Sequence, residues 1–183
     1  VDSWTPGFPA GKEMGKWVST SGKWFVDEEV NKGMATSEDM RFHSISKKMD
    51  KPSSSKGKDL VLQFSAKVEN HQYAFCGGGY IKLLPGKVDP KTFGGDTPYS
   101  IMFGPDHCGQ TKKVHFILRH RNPLSGAWEE KHLVSPPTPT VDDGLTHLYT
   151  AIVGTDNSVK ILVDNKQVKE ASLLSASDFK PPE

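Results

Sequence analysis

Residues 60–68 read LVLQFSAKV, and apolar side chains stand at all five even-numbered positions. The odd-numbered positions between them include Gln63, Ser65 and Lys67. Because successive side chains of a β-strand point to opposite faces, this period of about two predicts a strand with one apolar face. The stretch favours a β-protein, and the rest of the chain is consistent with it.

A second alternating stretch covers residues 114–118. Val114, Phe116 and Leu118 alternate with His115 and Ile117, and Arg119 continues the second row. This pattern predicts a strand that is buried on one side and semi-polar, with room for functional side chains, on the other.

Two further apolar runs, residues 148–153 and 159–163, are joined by the turn-forming residues GTDNS at 154–158. This spacing predicts a β-hairpin. Short strands separated by turns at such intervals are typical of a sandwich of antiparallel sheets. We expect loops at residues 50–58 and 134–143, and irregular structure at residues 171–178, where a short Ser-rich stretch precedes two prolines.

The composition limits both the size and the function of the protein. The chain of 183 residues is long enough for one well-packed domain. Its formal net charge of +1 argues against a nucleic-acid-binding protein. No apolar run approaches the about 20 residues that span a bilayer, so we expect no membrane span. The two cysteines could be buried thiols, a reactive pair or a disulfide.

The segment CGGGYIK at residues 76–82 is the first candidate site. Three consecutive glycines mark a bulge, a bend or a close approach to the backbone. The segment lacks the endings of phosphate-binding and dinucleotide-binding loops. Tyr80 and Lys82 are two residues apart and share one face of a strand, where an aromatic ring beside a cation suits a sugar. An ordinary exposed strand is the alternative.

Residues 94–108 form the second candidate, because this short segment contains two carboxylates, a tyrosine and a methionine. These are Asp96, Asp106, Tyr99 and Met102. Tyr99 and Met102 have opposite strand parity, so simple alternation does not place them on one surface, and either a bulge or different roles for the two residues would be needed.

Catalytic and metal-binding alternatives have weaker support. Glu28 and Glu29 are adjacent and would face opposite sides of a strand, so they do not form the carboxyl pair of a glycosidase. His107 beside Cys108 is no indication of a nucleophile and its base. In the predicted strand, His115 and His120 are five residues apart and point to opposite faces, so they are poorly placed to bind one metal ion together. We therefore expect a protein that is not an enzyme.

Taken together, four motifs resemble the signature segments of the calreticulin and calnexin family. They are CGGGYIKL at 76–83, GD at 95–96 followed by Tyr99, IMFGPDHCG at 101–109 and TKKVH at 111–115. The resemblance extends over nearly the whole chain and is stronger to the calreticulin branch. It implies an all-β, legume-lectin-like (concanavalin A-like) jelly-roll sandwich. It also implies a lectin chaperone of the endoplasmic reticulum lumen that binds monoglucosylated high-mannose N-glycans on folding glycoproteins.

The family's site residues transfer to matching positions of this sequence. The resemblance implies a glycan site formed by Tyr80, Lys82, Tyr99, Met102 and Asp106, with Asp96 and Ile117 lining it. It pairs Cys76 with Cys108, and such a bridge would stabilise the fold by about 3.5–4 kcal/mol on the chain-entropy model. It implies a structural calcium ion bound by the backbone carbonyls of Val30 and Lys32, with the remaining ligands outside this chain.

The resemblance also implies a domain boundary and partners. We expect a globular domain over residues 1–178 and the start of a proline-rich arm, or a truncation junction, at 179–183. The expected partners are monoglucosylated glycoproteins, misfolded polypeptides and, through the arm, a thiol-disulfide isomerase. The alternative function is a protein-interaction module that binds unfolded polypeptide or immune-recognition proteins independently of glycan.

Overall fold

In the computed structural model, which describes residues 3–51, 54–69, 76–86 and 88–182, almost all regular structure is β-strand. The described residues form no α-helix and one short 3₁₀ helix, Pro90–Thr92. None of them lies in a helix long and apolar enough to cross a membrane. The strands are β1 (Thr5–Pro6), β2 (Trp17–Thr20), β3 (Gly33–Thr36), β4 (Ile45–Ser46), β5 (Leu60–Lys67), β6 (Cys76–Gly78), β7 (Ile81–Leu83), β8 (Ile101–Cys108), β9 (Thr111–Arg121), β10 (Trp128–Leu133), β11 (Thr146–Val153), β12 (Ser158–Val163), β13 (Lys166–Ser172) and β14 (Phe179–Lys180).

The chain divides into two compact units, and the larger one comprises Ser54–Leu84 and Tyr99–Glu183. It contains two antiparallel sheets. The six-stranded sheet has the order β14-β10-β9-β8-β6, with β7 paired to β8 beyond the end of β6. The four-stranded sheet has the order β13-β12-β11-β5. This confirms the all-β, lectin-like class expected from the sequence.

The core lies between these two sheets. Phe103, Val114 and Phe116 of the six-stranded sheet are at most 1% exposed. They form one cluster with residues of the other sheet, including Tyr149 and Ile161. Burial of this apolar surface is the main force that holds the two sheets together.

The predicted alternation of residues 60–68 is confirmed over β5. Leu62 is buried and Phe64 packs against the core cluster, whereas Val61 is 54% exposed. Within β9, Val114 and Phe116 are buried and Leu118 packs against the core cluster, as predicted, but Ile117 of the opposite row is also only 5% exposed. The predicted hairpin at 148–163 is also present, because β11 pairs with β12 from Tyr149↔Val163 to Val153↔Val159.

The smaller unit comprises Val1–Ser53 and Pro85–Pro98. Two pairs of short antiparallel strands, β1 with β4 and β2 with β3, form its sheets. The buried Ser44 hydroxyl donates to the carbonyl oxygen of Phe93 at 2.8 Å and thereby ties two distant segments of this unit together. A Cβ on Gly7 would overlap the same carbonyl oxygen, so glycine is required there.

Residues near the end of the chain differ in detail from the sequence expectations. Ala171 and Ser172, expected to be irregular, complete β13, whose mostly polar and exposed side chains conceal the strand pattern. The expected domain boundary at residue 178 falls one residue before β14, which pairs with β10. Phe179 is 6% exposed and belongs to the core. The domain boundary itself stays a prediction.

His147 is a polar residue buried near one end of the four-stranded sheet. Its Nδ1 lies 2.7 Å from Asp164 Oδ2, and its Nε2 lies 3.0 Å from Asp143 Oδ1. Burial lowers the pKa of the His147 imidazole, but the hydrogen bonds to Asp164 and Asp143 outweigh burial and raise that pKa above its ordinary value. The folded state therefore favours the doubly protonated imidazole.

The variant Asp143→Asn tests this pairing. It should lower the pKa of His147, because one of the two carboxylates that stabilise the imidazolium is lost. A raised folded-state pKa stabilises the fold below the ordinary histidine pKa and ceases to do so as pH rises through the folded-state value. The variant should therefore lose more stability at about pH 5.5 than at about pH 9. Histidine NMR titration and urea unfolding at both pH values measure the two effects.

The matched control is Asp142→Asn, which removes a neighbouring exposed carboxylate that lies 3.7 Å from Lys112. It should leave the His147 pKa unchanged. An equal effect of both variants would show that general charge, and not the two hydrogen bonds, sets this pKa.

Candidate carbohydrate-binding site

The β8–β9 pairing places the candidate site on the face of the six-stranded sheet that points away from the core, here called the outer face. Residues opposite each other in an antiparallel pair share a face. Met102 pairs with Ile117, and Lys82 of β7 pairs with Met102. Lys82, Met102 and Ile117 therefore form a row across three strands, on the face opposite Phe103 and Phe116.

The glycine segment positions Tyr80 over this face. A Cβ on Gly78 would overlap the hydroxyl and ring of Tyr80, and a Cβ on Gly104 of β8 would overlap the carbonyl oxygen of Gly79. The Gly79 N–H donates to the carbonyl of Pro105 at 3.0 Å. The close approach that the glycines predict is thus made by the chain itself. It leaves Tyr80 36% exposed beside β8.

A disulfide joins Cys76 to Cys108, as the resemblance implied. The two residues are directly paired across β6 and β8, and the pairing continues from Gly77↔His107 to Gly78↔Asp106. Because β6 has only three residues, the disulfide supplies much of what holds it in register. The bridge thereby keeps Tyr80 and Asp106 on adjacent strands.

Tyr80, Asp106 and His115 form a polar group on the outer face. Tyr80 hydrogen-bonds to Asp106. The pKa of the Tyr80 hydroxyl is raised well above its ordinary value, mainly because the hydroxyl is partly buried and also because the Asp106 carboxylate is close to it. Asp106 Oδ2 lies 3.2 Å from His115 Nε2. The Tyr80 and His115 rings meet edge to face at 6.0 Å. The Asp106 carboxylate is therefore oriented from two sides.

Tyr99 reaches the same face although its parity differs from that of Met102. The residue precedes β8, which begins at Ile101, so strand alternation does not govern it. Its ring lies 5.0 Å from Lys82 Nζ and 5.9 Å from the Arg119 guanidinium. Its hydroxyl donates to Glu130 Oε2 at 2.8 Å. Tyr99 and Met102 therefore reach the same face without a β-bulge between them.

Sequence reasoning missed several residues of the outer face. His115 and Arg119 have the same strand parity as Ile117 and therefore lie on the same face of β9. The alternation of the sequence was sufficient to predict this. Trp128, Glu130 and His132 of β10 pair with Arg121, Arg119 and Ile117. Their positions follow only from the β9–β10 register. Burial raises the pKa of Glu130, but hydrogen bonds from His132 and Tyr99 outweigh burial and lower that pKa.

Three predicted site residues belong to the smaller unit. Asp96 is exposed there and forms an ion pair with Lys12.

The predicted calcium ligands Val30 and Lys32 lie in an exposed turn. In this turn Asp27 Oδ1 accepts the backbone N–H of Glu29 and of Val30, each at 2.9 Å. Glu29 pairs with Lys32 at 2.6 Å. No group of three or more His, Cys, Asp or Glu within the described ranges could hold a metal ion. These residues do not make a complete calcium site.

The larger unit, two antiparallel sheets with aromatic and charged side chains gathered on one outer face, defines a lectin-like β-sandwich. The calreticulin family model matches residues 10–183 of the chain. The chain therefore belongs to the calreticulin family.

Individual relatives agree with this assignment. The chain is 48% identical to calreticulin of Dictyostelium discoideum over 92% of its own length and 38% of that protein. It is 44% identical to calreticulin of Cricetulus griseus over 99% of its own length and 42% of that protein. The structure matches the T. cruzi calreticulin globular domain with a TM-score of 0.85 at 36% identity, covering 97% of this chain and 63% of that one. The chain thus spans about two fifths of the length of these two curated relatives.

The variant Gly78→Ala tests how the glycine segment positions Tyr80. The added methyl group would occupy the place of the Tyr80 hydroxyl, so the ring should move away from Asp106 and His115. Nuclear Overhauser contacts between the Tyr80 and His115 rings should disappear while the melting temperature changes little, because a flexible side chain is displaced.

Gly79→Ala is the matched control, because a Cβ at Gly79 meets nothing within 4 Å. It should retain the contacts between the two rings. Their survival in Gly78→Ala would contradict the proposed steric role of Gly78.

Proposed function

We propose that this chain is the glycan-binding part of a lectin chaperone that recognises monoglucosylated high-mannose N-glycans. The observation that supports this most directly is the cluster of Tyr80, Lys82, Met102 and Asp106 on one outer sheet face. Membership of the calreticulin family provides the second support.

The proposed site has the groups that saccharide binding requires. The Tyr80 ring is partly exposed and can stack on the C–H face of a hexose, while the Asp106 carboxylate accepts hydrogen bonds from sugar hydroxyls. Lys82 supplies N–H donors, and its cation lies over the Tyr99 ring. Met102 provides a polarisable apolar surface. Ile117 is 5% exposed and lies beneath these groups.

Binding, and not hydrolysis, is the activity that this arrangement supports. Glycoside hydrolysis needs two carboxyl groups within about 5–10 Å of each other across one bond. Asp106 pairs with Lys113 and Glu130 pairs with Arg119, and these partners are six residues apart on β9. At the strand rise of about 3.3 Å per residue, that separation is about 20 Å. The carboxylates of Asp106 and Glu130 are too far apart to act together.

The compartment, partners and calcium of the proposal follow from the family. A chaperone of this kind works in the endoplasmic reticulum lumen, where a disulfide such as Cys76–Cys108 persists. Its clients are glycoproteins and misfolded polypeptides, and a proline-rich arm recruits a thiol-disulfide isomerase. Calcium takes about six to eight oxygen ligands. The carbonyls of Val30 and Lys32 would therefore need several partners from elsewhere.

The variants Asp106→Asn and Tyr80→Phe test the glycan site. Asp106→Asn removes a charged acceptor, so affinity for monoglucosylated oligomannose should fall about 10- to 100-fold. Tyr80→Phe keeps the ring and loses the hydroxyl, so affinity should fall less, about three- to tenfold. Isothermal titration calorimetry measures both.

Glu170→Gln is the matched control, because it removes an exposed carboxylate from the four-stranded sheet, where Glu170 lies 3.9 Å from Lys160. It should bind as the parent chain does. Unchanged affinity in Asp106→Asn, with the fold intact by circular dichroism, would rule out this face as the glycan site.

A second candidate function, binding of unfolded polypeptide, has support from the smaller unit. The segment at residues 24–30 exposes Trp24, Phe25, Val26 and Val30, with Val26 at 101% and Val30 at 79% exposure. Exposed apolar side chains grouped in this way are typical of interaction surfaces.

The double variant Phe25→Ser/Val26→Ser tests this second function. It should weaken the ability of the chain to suppress aggregation of a non-glycosylated client, because it removes exposed apolar surface. Leu124→Ser, which changes a residue that is 96% exposed in the other unit, is the control. Asp106→Asn should keep full suppression. Equal loss in the Asp106 variant would assign both activities to the glycan face.

A further inference from the structure

The Tyr99 side chain of the proposed glycan site is not oriented by a strand of its own, because the residue precedes β8. The next residue, Ser100, is bonded to both neighbouring strands. Its N–H donates to the Leu83 carbonyl at 2.7 Å, and its carbonyl accepts the Arg119 N–H at 2.9 Å. The backbone is therefore anchored one residue away, and side-chain contacts determine where the ring and hydroxyl of Tyr99 lie.

Contacts from three strands hold this side chain. Lys82 Nζ of β7 lies 5.0 Å from the centre of the Tyr99 ring, and the Arg119 guanidinium of β9 lies 5.9 Å from it. The Tyr99 hydroxyl donates to Glu130 Oε2 of β10 at 2.8 Å. A ring attracts a cation anywhere within about 6 Å of its centre, whereas a hydrogen bond sets both a distance and an angle. The bond to Glu130 is therefore the contact that fixes the hydroxyl.

Glu130 is itself held in place by a neighbour on β10. Its Oε1 lies 2.8 Å from His132 Nε2, and the two residues share the outer face because they are two apart on one strand. Burial raises the pKa of the Glu130 carboxyl, but the hydrogen bonds from His132 and Tyr99 outweigh burial and lower that pKa, so the group is ionised at neutral pH. An ionised carboxylate only accepts hydrogen bonds, so His132 and Tyr99 are the donors.

The bond to Glu130 determines what Tyr99 offers a ligand. Burial, and then this hydrogen bond, raises the pKa of the Tyr99 hydroxyl well above its ordinary value, so the hydroxyl keeps its proton. That single proton is donated to Glu130, and the oxygen can act only as an acceptor toward a ligand. Hydrogen bonds in a chain polarise one another, which strengthens the acceptor. Tyr99 therefore meets a sugar as an acceptor, next to Lys82, which is a donor.

The same combination of groups occurs at the other tyrosine of the site. Tyr80 hydrogen-bonds to Asp106, and Asp106 Oδ2 lies 3.2 Å from His115 Nε2. In both cases a carboxylate flanked by a histidine holds a tyrosine hydroxyl on the outer face. Glu130 differs from Asp106 in its place, because it lies on β10, two strands and about 10 Å away from β8.

We propose that Glu130 is a positioning residue of the glycan site, which fixes the Tyr99 hydroxyl as an acceptor for a sugar hydroxyl and is itself oriented by His132. The inference rests on the proposed lectin function. Glu130 acts on the ligand only through Tyr99, so the two residues form one functional unit. Their contributions to affinity are therefore not independent.

The experiment measures affinity for monoglucosylated oligomannose by calorimetry in Glu130→Ala, Tyr99→Phe and the double variant. Each single variant should bind about three- to tenfold more weakly, because the hydroxyl is either released or removed. The double variant should bind within about twofold of Tyr99→Phe, because Glu130 has no other route to the ligand. Independent contributions would instead multiply, to a loss of about 10- to 100-fold. Circular dichroism checks the fold of each variant.

Two further variants separate the hydrogen bond from the charge. Glu130→Gln keeps an acceptor oxygen in a side chain of the same size, so it should recover most of the affinity lost in Glu130→Ala. Glu129→Gln removes an equal charge from the opposite face of the same strand and should bind as the parent chain does. Nuclear Overhauser contacts between the Tyr99 ring and the Lys82 side chain should weaken in Glu130→Ala and persist in Glu129→Gln.

The outcomes distinguish the role of Glu130 from the lectin function. If the parent chain binds no glycan, the lectin function fails, and the role of Glu130 fails with it. If the parent chain binds but either single variant binds equally well, or the losses multiply in the double variant, Glu130 does not act through Tyr99. If Glu129→Gln weakens binding as much as Glu130→Ala does, the charge of β10 is responsible and the inference is overturned.

Discussion

The structure of the larger unit depends on the antiparallel pairing of β8 with β9. Eight consecutive residue pairs join the two strands, from Ile101↔Leu118 to Cys108↔Thr111. One set of alternate side chains, including Phe103 and Phe116, enters the core between the sheets. The other set, including Met102 and Asp106, forms the outer face. A single register therefore determines which side chains are buried and which lie on the outer face, and a slip by one residue would exchange the two sets.

The next strands along the sheet edge are too short to hold this register alone. β6 and β7 have three residues each, and Gly79 and Tyr80 lie between them. The disulfide fixes the start of β6, and the hydrogen bond from Ser100 N–H to the Leu83 carbonyl, 2.7 Å, fixes the end of β7. Gly78 and Gly104 allow the backbone and the Tyr80 ring to approach β8. Tyr80 is placed by constraints on both sides.

Much of the fold is predictable from sequence because the strongest strands are amphipathic. β5 and β9 each bury one row of side chains, so their period is visible in the residues. β13 buries only Ala171, and most of its other side chains are polar and exposed, so periodicity does not reveal it. Nor does periodicity reveal β14, which has two residues and is recognisable only through its pairing with β10.

The candidate site divides in the same way. Tyr80, Lys82 and Asp106 stand in motifs whose spacing is local, so the sequence points to them. The contacts of Tyr99 with Glu130 and of Arg119 with Trp128 depend on pairing between strands, and no local pattern encodes that register. His115 is an intermediate case. The sequence predicts which face of β9 it occupies, but it does not predict the hydrogen bond between His115 and Asp106.

The two faces of β9 also respond to mutation differently. A change at Val114 or Phe116 leaves a cavity or a clash in the core, and the cost is paid in stability. A change at Arg119, or at Trp128 on the neighbouring strand, alters the outer face and leaves the core packing in place. Single substitutions can therefore change the proposed glycan face while the packing of the sandwich beneath it is kept.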